Sequence, residues 1–294
     1  MTKSRGFTLV EMIAVMVIIG IIAAAVGVFI ARPVAGYVDA VRRAALSDLA
    51  DTALRRIGRD VRLAVPNSVR VSGNTFLEYI PTRDGVRYRA EADAGGGGDI
   101  LDFTLSATES TFDIFPVSAV AATAGDFMAV FNTGQCDPAG CAAACTLSGG
   151  ANAYQGCNRR VLSAVSATAI GFSATALPLP FDSPGHRVNF VPSSGPVSYA
   201  CEGVGTVGGN GTGTLRRYTG YATGSGGWNA AAQPTPPFGG GATSALLADS
   251  VSACAFTYLP GVTQTSGLVT LSLTLTRVSE SVTLYYEIHV DNQP

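Results

Sequence analysis

The chain has 294 residues, which is enough for one large or two small domains. Apolar residues make up 47% of it and charged residues only 14%, so the composition permits both a membrane helix and a hydrophobic core. The net charge of −2 argues against nucleic acid as the main partner. Lys3 is the single lysine, which excludes a lysine Schiff base or a phosphate-loop lysine in the rest of the chain.

An apolar segment begins directly after a short basic leader. Residues 5–11 read Arg-Gly-Phe-Thr-Leu-Val-Glu, and residues 12–31 follow without a single charge. At about 1.5 Å per residue, a helix over this run spans the roughly 30 Å hydrocarbon core of a bilayer. Glu11 stands at its head, where an ionised carboxylate is costly and normally marks function. The ordinary alternatives are a signal anchor with a chance glutamate and a secretory signal cleaved near residues 23–25.

The run Gly-Phe-Thr-Leu-Val-Glu before an apolar helix resembles the processing site of type IV prepilins and type II secretion pseudopilins. The resemblance implies that residues 1–6 are a leader peptide and that residues 7–31 are a transmembrane and assembly helix. A prepilin peptidase would cut between Gly6 and Phe7 and would methylate the new terminal nitrogen of Phe7. Glu11 would then serve assembly, because its carboxylate can meet the cationic Phe7 nitrogen of a neighbouring subunit in a region of low dielectric.

The charges at the N-terminus predict the orientation in the membrane. Lys3 and Arg5 precede the apolar run, so the positive-inside rule places the leader in the cytoplasm. Everything after about residue 32 would then lie in the periplasm. We therefore expect a single-pass protein of the bacterial inner membrane that later enters a pilus or pseudopilus filament.

The helix is expected to continue beyond the membrane. Apolar residues recur at steps of three and four between residues 34 and 63, which predicts an amphipathic continuation over residues 32–65 that packs against a globular domain. Gly20, Gly27 and Pro33 interrupt the pattern. They indicate either a bend or local melting used in filament packing, or glycines that simply allow membrane helices to pack closely.

Residues 66–294 change to short β-like runs separated by loops rich in glycine and proline, with no internal repeat. The predicted fold class is α+β and pilin-like, with a long N-terminal helix packed on a large antiparallel β-rich domain that has disulfide-tied loops. The clearest exposed loops are 94–98, 203–213 and 224–241. The predicted strands are 75–80, 86–89, 100–105, 111–115, 127–131, 161–165, 169–174, 187–191, 214–218, 253–259, 268–277 and 281–290.

An even number of cysteines follows the anchor, which fits disulfides in an oxidising periplasm. Six cysteines allow 15 complete pairings, and the sequence does not choose among them. We favour one bridge between Cys201 and Cys254 and two bridges among the other four. A zinc site is the alternative, although the spacing lacks the C-x2-C knuckle of structural zinc sites. The six candidates are Cys136, Cys141, Cys145, Cys157, Cys201 and Cys254.

The sequence shows no pattern typical of catalysis. Residues 203–208 match a dinucleotide-binding fingerprint in their letters, but no hydrophobic strand precedes them and no helix follows. His186 and His289 are the only histidines, and no G-x-S-x-G elbow is present. Asp99 and Asp102 flank a predicted strand. We interpret them as solvated groups at its edge or as calcium ligands rather than as an acid/base pair. We therefore predict a protein that is not an enzyme and needs no cofactor or metal.

Two further segments, residues 59–71 and 289–294, are similar to MshO-type minor pilins of the mannose-sensitive haemagglutinin (MSHA) pilus system, and the layout is similar to pseudopilin J and PilW. The resemblance implies a low-copy subunit that helps to initiate, cap or modify the filament. Its partners would be other major and minor pilins through the N-terminal helix, the prepilin peptidase and the inner-membrane assembly platform. The alternatives are a type II secretion minor pseudopilin, a membrane-anchored enzyme, or a tip-displayed adhesin that contacts a sugar, a surface or DNA through its loops, such as loop 224–241. Trp228 in this loop is either an exposed contact or an aromatic that is tucked into the fold.

Overall fold

The computed structural model describes residues 6–104, 108–115, 117, 119–147, 149–222, 228–239, 241–261 and 266–294. Leader residues 1–5, with Lys3 and Arg5, lie outside the described residues. So do residue 105 of one predicted strand and residues 224–227 and 240 of the glycine-rich loop.

One helix, α1 (Leu9–Arg62), contains 54 residues and dominates the N-terminal part of the molecule. Thr8 caps its first turn, and the Leu63 N–H closes its last turn with a 3.2 Å hydrogen bond to the Asp60 carbonyl. The helix runs without interruption through Gly20, Gly27 and Pro33. The predicted long N-terminal helix is therefore confirmed, and it is long and apolar enough to cross a membrane.

Only the C-terminal part of α1 is covered by the rest of the chain. Its buried face begins at Leu46 and continues through Ala50, Ala53, Ile57 and Val61, the steps of three and four that place side chains on one face. Earlier members of the predicted amphipathic stripe, such as Val38 and Val41, are exposed. The apolar stripe in the sequence thus begins N-terminal to the part of α1 that the β region covers.

The rest of the chain is built from antiparallel strands, as predicted. In chain order they are β1 (Arg70–Ser72), β2 (Phe76–Tyr79), β3 (Asp84–Tyr88), β4 (Thr111–Phe115), β5 (Phe127–Val130), β6 (Arg159–Val165), β7 (Ala169–Phe172), β8 (Arg187–Val191), β9 (Val197–Glu202), β10 (Thr206–Val207), β11 (Asn210–Gly211), β12 (Gly213–Thr219), β13 (Thr243–Leu259), β14 (Ser266–Arg277) and β15 (Glu280–Asp291).

Thirteen of these strands form two bodies, and β10 and β11 form a separate two-stranded sheet. A seven-stranded sheet has the order β1-β2-β9-β12-β13-β14-β15, and α1 lies on it. The other body is a closed barrel with the order β3-β4-β7-β6-β5-β8. The sheet and the helix share a core that contains Leu77, Tyr199 and Leu271, whereas the barrel has its own core around Phe112 and Phe190.

A third cluster of buried side chains joins the two bodies. It includes Val65 and Ile80 together with Phe127, Tyr154 and Trp228. The Val65 N–H donates a 2.8 Å hydrogen bond to the Ile80 carbonyl, so the chain segment after α1 is tied to the segment that leads into the barrel. The two bodies therefore pack against each other through a continuous apolar contact.

Several local predictions differ from the structure. Residues 100–104 form no strand, and β1 and β9 are strands that the pattern did not predict. Part of the glycine-rich stretch 203–213 forms the β10–β11 hairpin instead of an open loop. Gly208 and Gly209 make its turn with positive φ angles of 56° and 76°, which glycine adopts without steric cost.

Three disulfides tie the β region. Cys136 pairs with Cys141, Cys145 with Cys157, and Cys201 with Cys254. The last bridge joins β9 to β13, the two strands that flank β12 in the sheet. Since all six sulfurs are in disulfides, the cysteines hold no zinc ion.

Candidate assembly site

The peptide bond between Gly6 and Phe7 lies in exposed, non-helical chain just before α1. Thr8 has the extended conformation of an N-cap residue, and its Oγ1 accepts a 3.3 Å hydrogen bond from the Glu11 N–H. Thr8 and Glu11 have the spacing of a capping box, which fixes the start of the helix. A protease could therefore reach this bond without unfolding any helical turn.

Nothing within the fold requires a glycine at position 6. A Cβ atom added there would meet no heavy atom within 4 Å, and the residue has no positive φ angle. The same position nevertheless precedes the bond that the sequence predicts to be cut. A requirement for glycine here must come from a molecule outside this chain.

Glu11 lies in the first turn of α1 and is exposed. Within the described residues, its carboxylate forms no hydrogen bond or ion pair. The partial positive charge of the helix N-terminus favours a carboxylate there, but this effect is worth only about 0.3–1 kcal/mol at an exposed position. In an apolar surrounding, Glu11 therefore needs a cationic partner from elsewhere.

The surface around Glu11 is apolar on every side of the helix. Large hydrophobic side chains are exposed from Phe7 to Val41, and Phe29 reaches 82% exposure. A helix that is hydrophobic all round belongs in a membrane or among other helices. Such a surface suits contact with lipid or with other helices.

The glycines and the proline of the exposed half have no packing role within this chain. A Cβ atom at Gly20 or Gly27 would meet nothing within 4 Å. Pro33 lies inside the helix and cannot donate the hydrogen bond that the Phe29 carbonyl would otherwise accept. All three residues remain candidates for a bend or for close packing with another helix.

The buried half of α1 is locked to the sheet by a polar cluster around Asp60. Its carboxylate accepts hydrogen bonds from Tyr199 Oη at 2.6 Å, Arg217 Nε at 3.0 Å and Arg56 Nε at 3.2 Å. Burial is the main cause that raises the pKa of Tyr199, so its hydroxyl stays protonated and can donate. The cluster holds the exposed half of the helix at a defined angle to the β region.

Sequence reasoning did not find the Asp60 cluster. Tyr199 and Arg217 are separated from Asp60 by more than one hundred residues and belong to β9 and β12. A charged residue in a helix that also contains Arg56 and several other charges gives no signal of a buried contact. Only the pairing of β9 with β12 brings the partners together.

The remaining predicted polar candidates do not assemble into a site. Asp99 accepts a hydrogen bond from the hydroxyl of Thr111 at the start of β4, and Asp102 accepts one from the Thr104 N–H within a local turn. Among the described residues, no group of three or more His, Cys, Asp or Glu side chains could hold a metal ion. Trp228 is buried, so the alternative of an aromatic tucked into the fold is confirmed and the exposed contact is wrong.

Comparison with known proteins finds one match. The family model for the prokaryotic N-terminal methylation motif matches residues 1–27. No curated protein and no solved structure matches the chain. The motif supports a type IV pilin-like or pseudopilin subunit, a class of structural proteins that are processed by prepilin peptidase and that contact other pilins.

Proposed function

We propose that this chain is a minor pilin or pseudopilin that helps to initiate, cap or modify a type IV pilus-like filament. The observation that carries the proposal is the exposed apolar surface that begins at Phe7 and continues along the first half of α1, where the Glu11 carboxylate has no partner among the described residues. The β region would lie in the periplasm, with the helix in the inner membrane before assembly.

Glu11 would pair with the terminal nitrogen of Phe7 in an adjacent subunit. Cleavage after Gly6 creates this nitrogen as a cation, and monomethylation keeps its charge. Phe7 and Glu11 are four residues apart, so a shift of about one helical turn between neighbouring subunits brings the two groups together. In an apolar surrounding, each charge is costly alone and is stabilised by the other.

The apolar side chains and the charge pair would have different roles. Lipid tails are as apolar as isoleucine, so transfer of the helix from membrane to filament gains little from the hydrophobic effect itself. Close packing at small residues such as Gly20 and Gly27 would contribute attraction between helices. The Glu11–Phe7 pair would select the register, which is the best-attested role of a buried ion pair.

The size of the β region supports a low-copy subunit. The sheet and the barrel together would crowd neighbouring subunits more than a single small domain does. Within this class we favour an MSHA-type minor pilin over a type II secretion pseudopilin, from the resemblance of residues 59–71 and 289–294. Co-purification of the native chain with MSHA pilins is the expected result, and recovery with secretion pseudopilins instead would contradict this assignment.

Processing is tested with the mature protein from cells and with Gly6→Leu. N-terminal sequencing and intact mass should show a chain that begins at N-methylated Phe7. Gly6→Leu should remain uncut in the membrane fraction, because the bulky side chain blocks the peptidase while the fold has open space at this position. Gly36→Leu is the matched control, since Gly36 also has no neighbour within 4 Å but lies outside the motif.

The proposal fails if the natural chain begins at Met1 or beyond residue 31. It also fails if uncut Gly6→Leu enters filaments as well as the natural chain.

A further inference from the structure

The barrel has a pocket that the filament role does not use. It has a volume of about 460 Å³ and lies between β6 and residues 173–177, with the Cys145–Cys157 disulfide on one side. Pockets that hold small ligands have volumes of about 300–1,000 Å³. All residues that line this pocket are described by the structure, and they belong to the β region far from the exposed half of α1.

Arg160 is the decisive group in the pocket wall. Arg160 is only 6% exposed, and its guanidinium donates three hydrogen bonds to backbone carbonyls. Nη1 donates to Cys157 at 3.0 Å and to Arg159 at 2.8 Å, and Nη2 donates to Leu177 at 2.8 Å. Nε and the second hydrogen of Nη2 have no acceptor within the described part of the chain.

The charge of Arg160 has no counter-ion within the described residues. Burial lowers the pKa of Arg160 to about 10, which leaves the guanidinium cationic at neutral pH. Isolated buried charges are costly, and proteins normally pair them. The pocket therefore presents a cation that an anion could neutralise.

A second arginine strengthens the positive potential. Arg159 also lines the pocket and is 8% exposed. Its guanidinium lies 3.7 Å from the ring centre of Trp228, and its Nη1 donates a 3.1 Å hydrogen bond to the Ala153 carbonyl. Both arginines therefore contribute positive charge to the lining of the pocket.

The nearest carboxylates do not fill this role. Asp102 and Glu109 border a separate cavity beside Arg160 whose volume is only about 10 Å³. Glu109 forms no ion pair with Arg160 in the described part of the chain. Burial raises the pKa of Glu109, which disfavours the ionised carboxylate that would pair with a cation.

We propose that this pocket binds an acidic sugar through its carboxylate. Nε and Nη2 share one edge of the guanidinium, and two parallel N–H groups on such an edge match the two oxygens of a carboxylate. The hydroxyl groups of Ser173 and Thr175 line the rim, and Leu177 and Val161 give an apolar wall. Hydroxyls and an apolar surface together suit the hydroxyl groups and C–H face of one sugar ring.

The test titrates the full processed chain in detergent with galacturonic acid. Trp228 is the only tryptophan and contacts Arg159, so its fluorescence reports binding in the pocket, and calorimetry gives the affinity. Galacturonic acid should bind, and neutral galactose should bind at least tenfold more weakly. Arg160→Gln should weaken binding at least tenfold, because a charge-assisted pair contributes more than about 1.4 kcal/mol.

Matched variants separate the site from general charge effects. Arg187→Gln removes an exposed arginine of the same barrel and should leave affinity unchanged. Arg160→Lys keeps the charge but loses the planar fork, so its affinity should lie between those of the natural chain and Arg160→Gln. It also provides a readout if Arg160→Gln does not fold.

Equal binding of galactose and galacturonic acid would overturn the proposal. So would an unchanged affinity in both Arg160 variants. Binding of a short peptide through its C-terminal carboxylate, with no binding of galacturonic acid, would show that the pocket recognises a peptide and would reject the sugar assignment.

Discussion

The two halves of α1 differ in what surrounds them, although they form one continuous helix. In the first half, apolar side chains are exposed on all sides, and Gly20 and Gly27 have open space around them. In the second half, one stripe is buried, and a Cβ atom at Gly58 would come within 2.6 Å of Tyr286 Cε1. Glycine at position 58 is explained by packing within the chain, whereas the other two glycines are not.

This difference predicts which variants of α1 affect assembly and which affect folding. Glycine costs about 0.5–1 kcal/mol relative to alanine in a helix interior. At Gly58 the cost is offset by the close approach of the sheet. At Gly20 and Gly27 nothing in the described part of the chain offsets it, which leaves a bend of the helix or close packing with another helix as the reason for glycine. Variants in the first half should therefore alter assembly, and variants in the second half should alter stability.

The largest effect is expected for Glu11→Ala. Loss of the carboxylate would leave the Phe7 cation of the neighbour unpaired in an apolar surrounding, and breaking a buried ion pair in this way costs about 3–5 kcal/mol. Incorporation into filaments should be lost, while cleavage after Gly6 continues. Sheared filaments and membranes are compared by immunoblot.

Asp39→Ala is the matched control, since it removes an exposed carboxylate of the same helix that pairs with Arg42 at 3.1 Å. It should assemble normally. Normal incorporation of Glu11→Ala would refute the pairing role of this carboxylate.

The second prediction compares one isoleucine from each half of α1. Ile57 is fully buried against the sheet, so Ile57→Ala should lower the free energy of unfolding by about 2–5 kcal/mol. Ile18 is more than half exposed, so Ile18→Ala should leave the stability of the β region unchanged. Denaturant unfolding of both variants in detergent, followed by Trp228 fluorescence, measures the difference.

Processing should be equal in the two isoleucine variants. A similar loss of stability in both variants would show that the rest of the chain also covers the first half of α1. The division of α1 into an exposed and a covered half would then be wrong.

The sequence predicts the helix and the antiparallel β class well because these depend on local patterns. Residues 268–277 and 281–290 alternate along their length, and they lie in β14 and β15. β9 escaped prediction because residues 197–201 are all buried, so the strand shows no alternation. Its place inside the sheet is visible only when β2 and β12 pair with it.

The division of the strands into a sheet and a barrel could not be predicted from the sequence, because it depends on topology. β2 and β9 are neighbours in the sheet, yet all six barrel strands lie between them in the chain. Local periodicity does not report which strands close on each other. The same holds for Arg159 and Arg160, because two consecutive arginines ordinarily indicate an exposed turn, and their contacts with Trp228 and Leu177 lie outside β6.

The smallest effect is expected for Asp60→Asn, which tests how the two halves are held in relation to each other. The amide keeps the shape of the carboxylate but removes the charge that accepts from Tyr199 and Arg217. Loss of these charge-assisted bonds should lower the free energy of unfolding by about 1–3 kcal/mol. Asp51→Asn is the control, since Asp51 pairs with Arg55 in solvent and should have little effect. If Asp60→Asn matches the control, the cluster does not fix the helix to the sheet. If it lowers stability and also reduces incorporation without impairing cleavage, the angle between the helix and the β region matters for assembly as well as for folding.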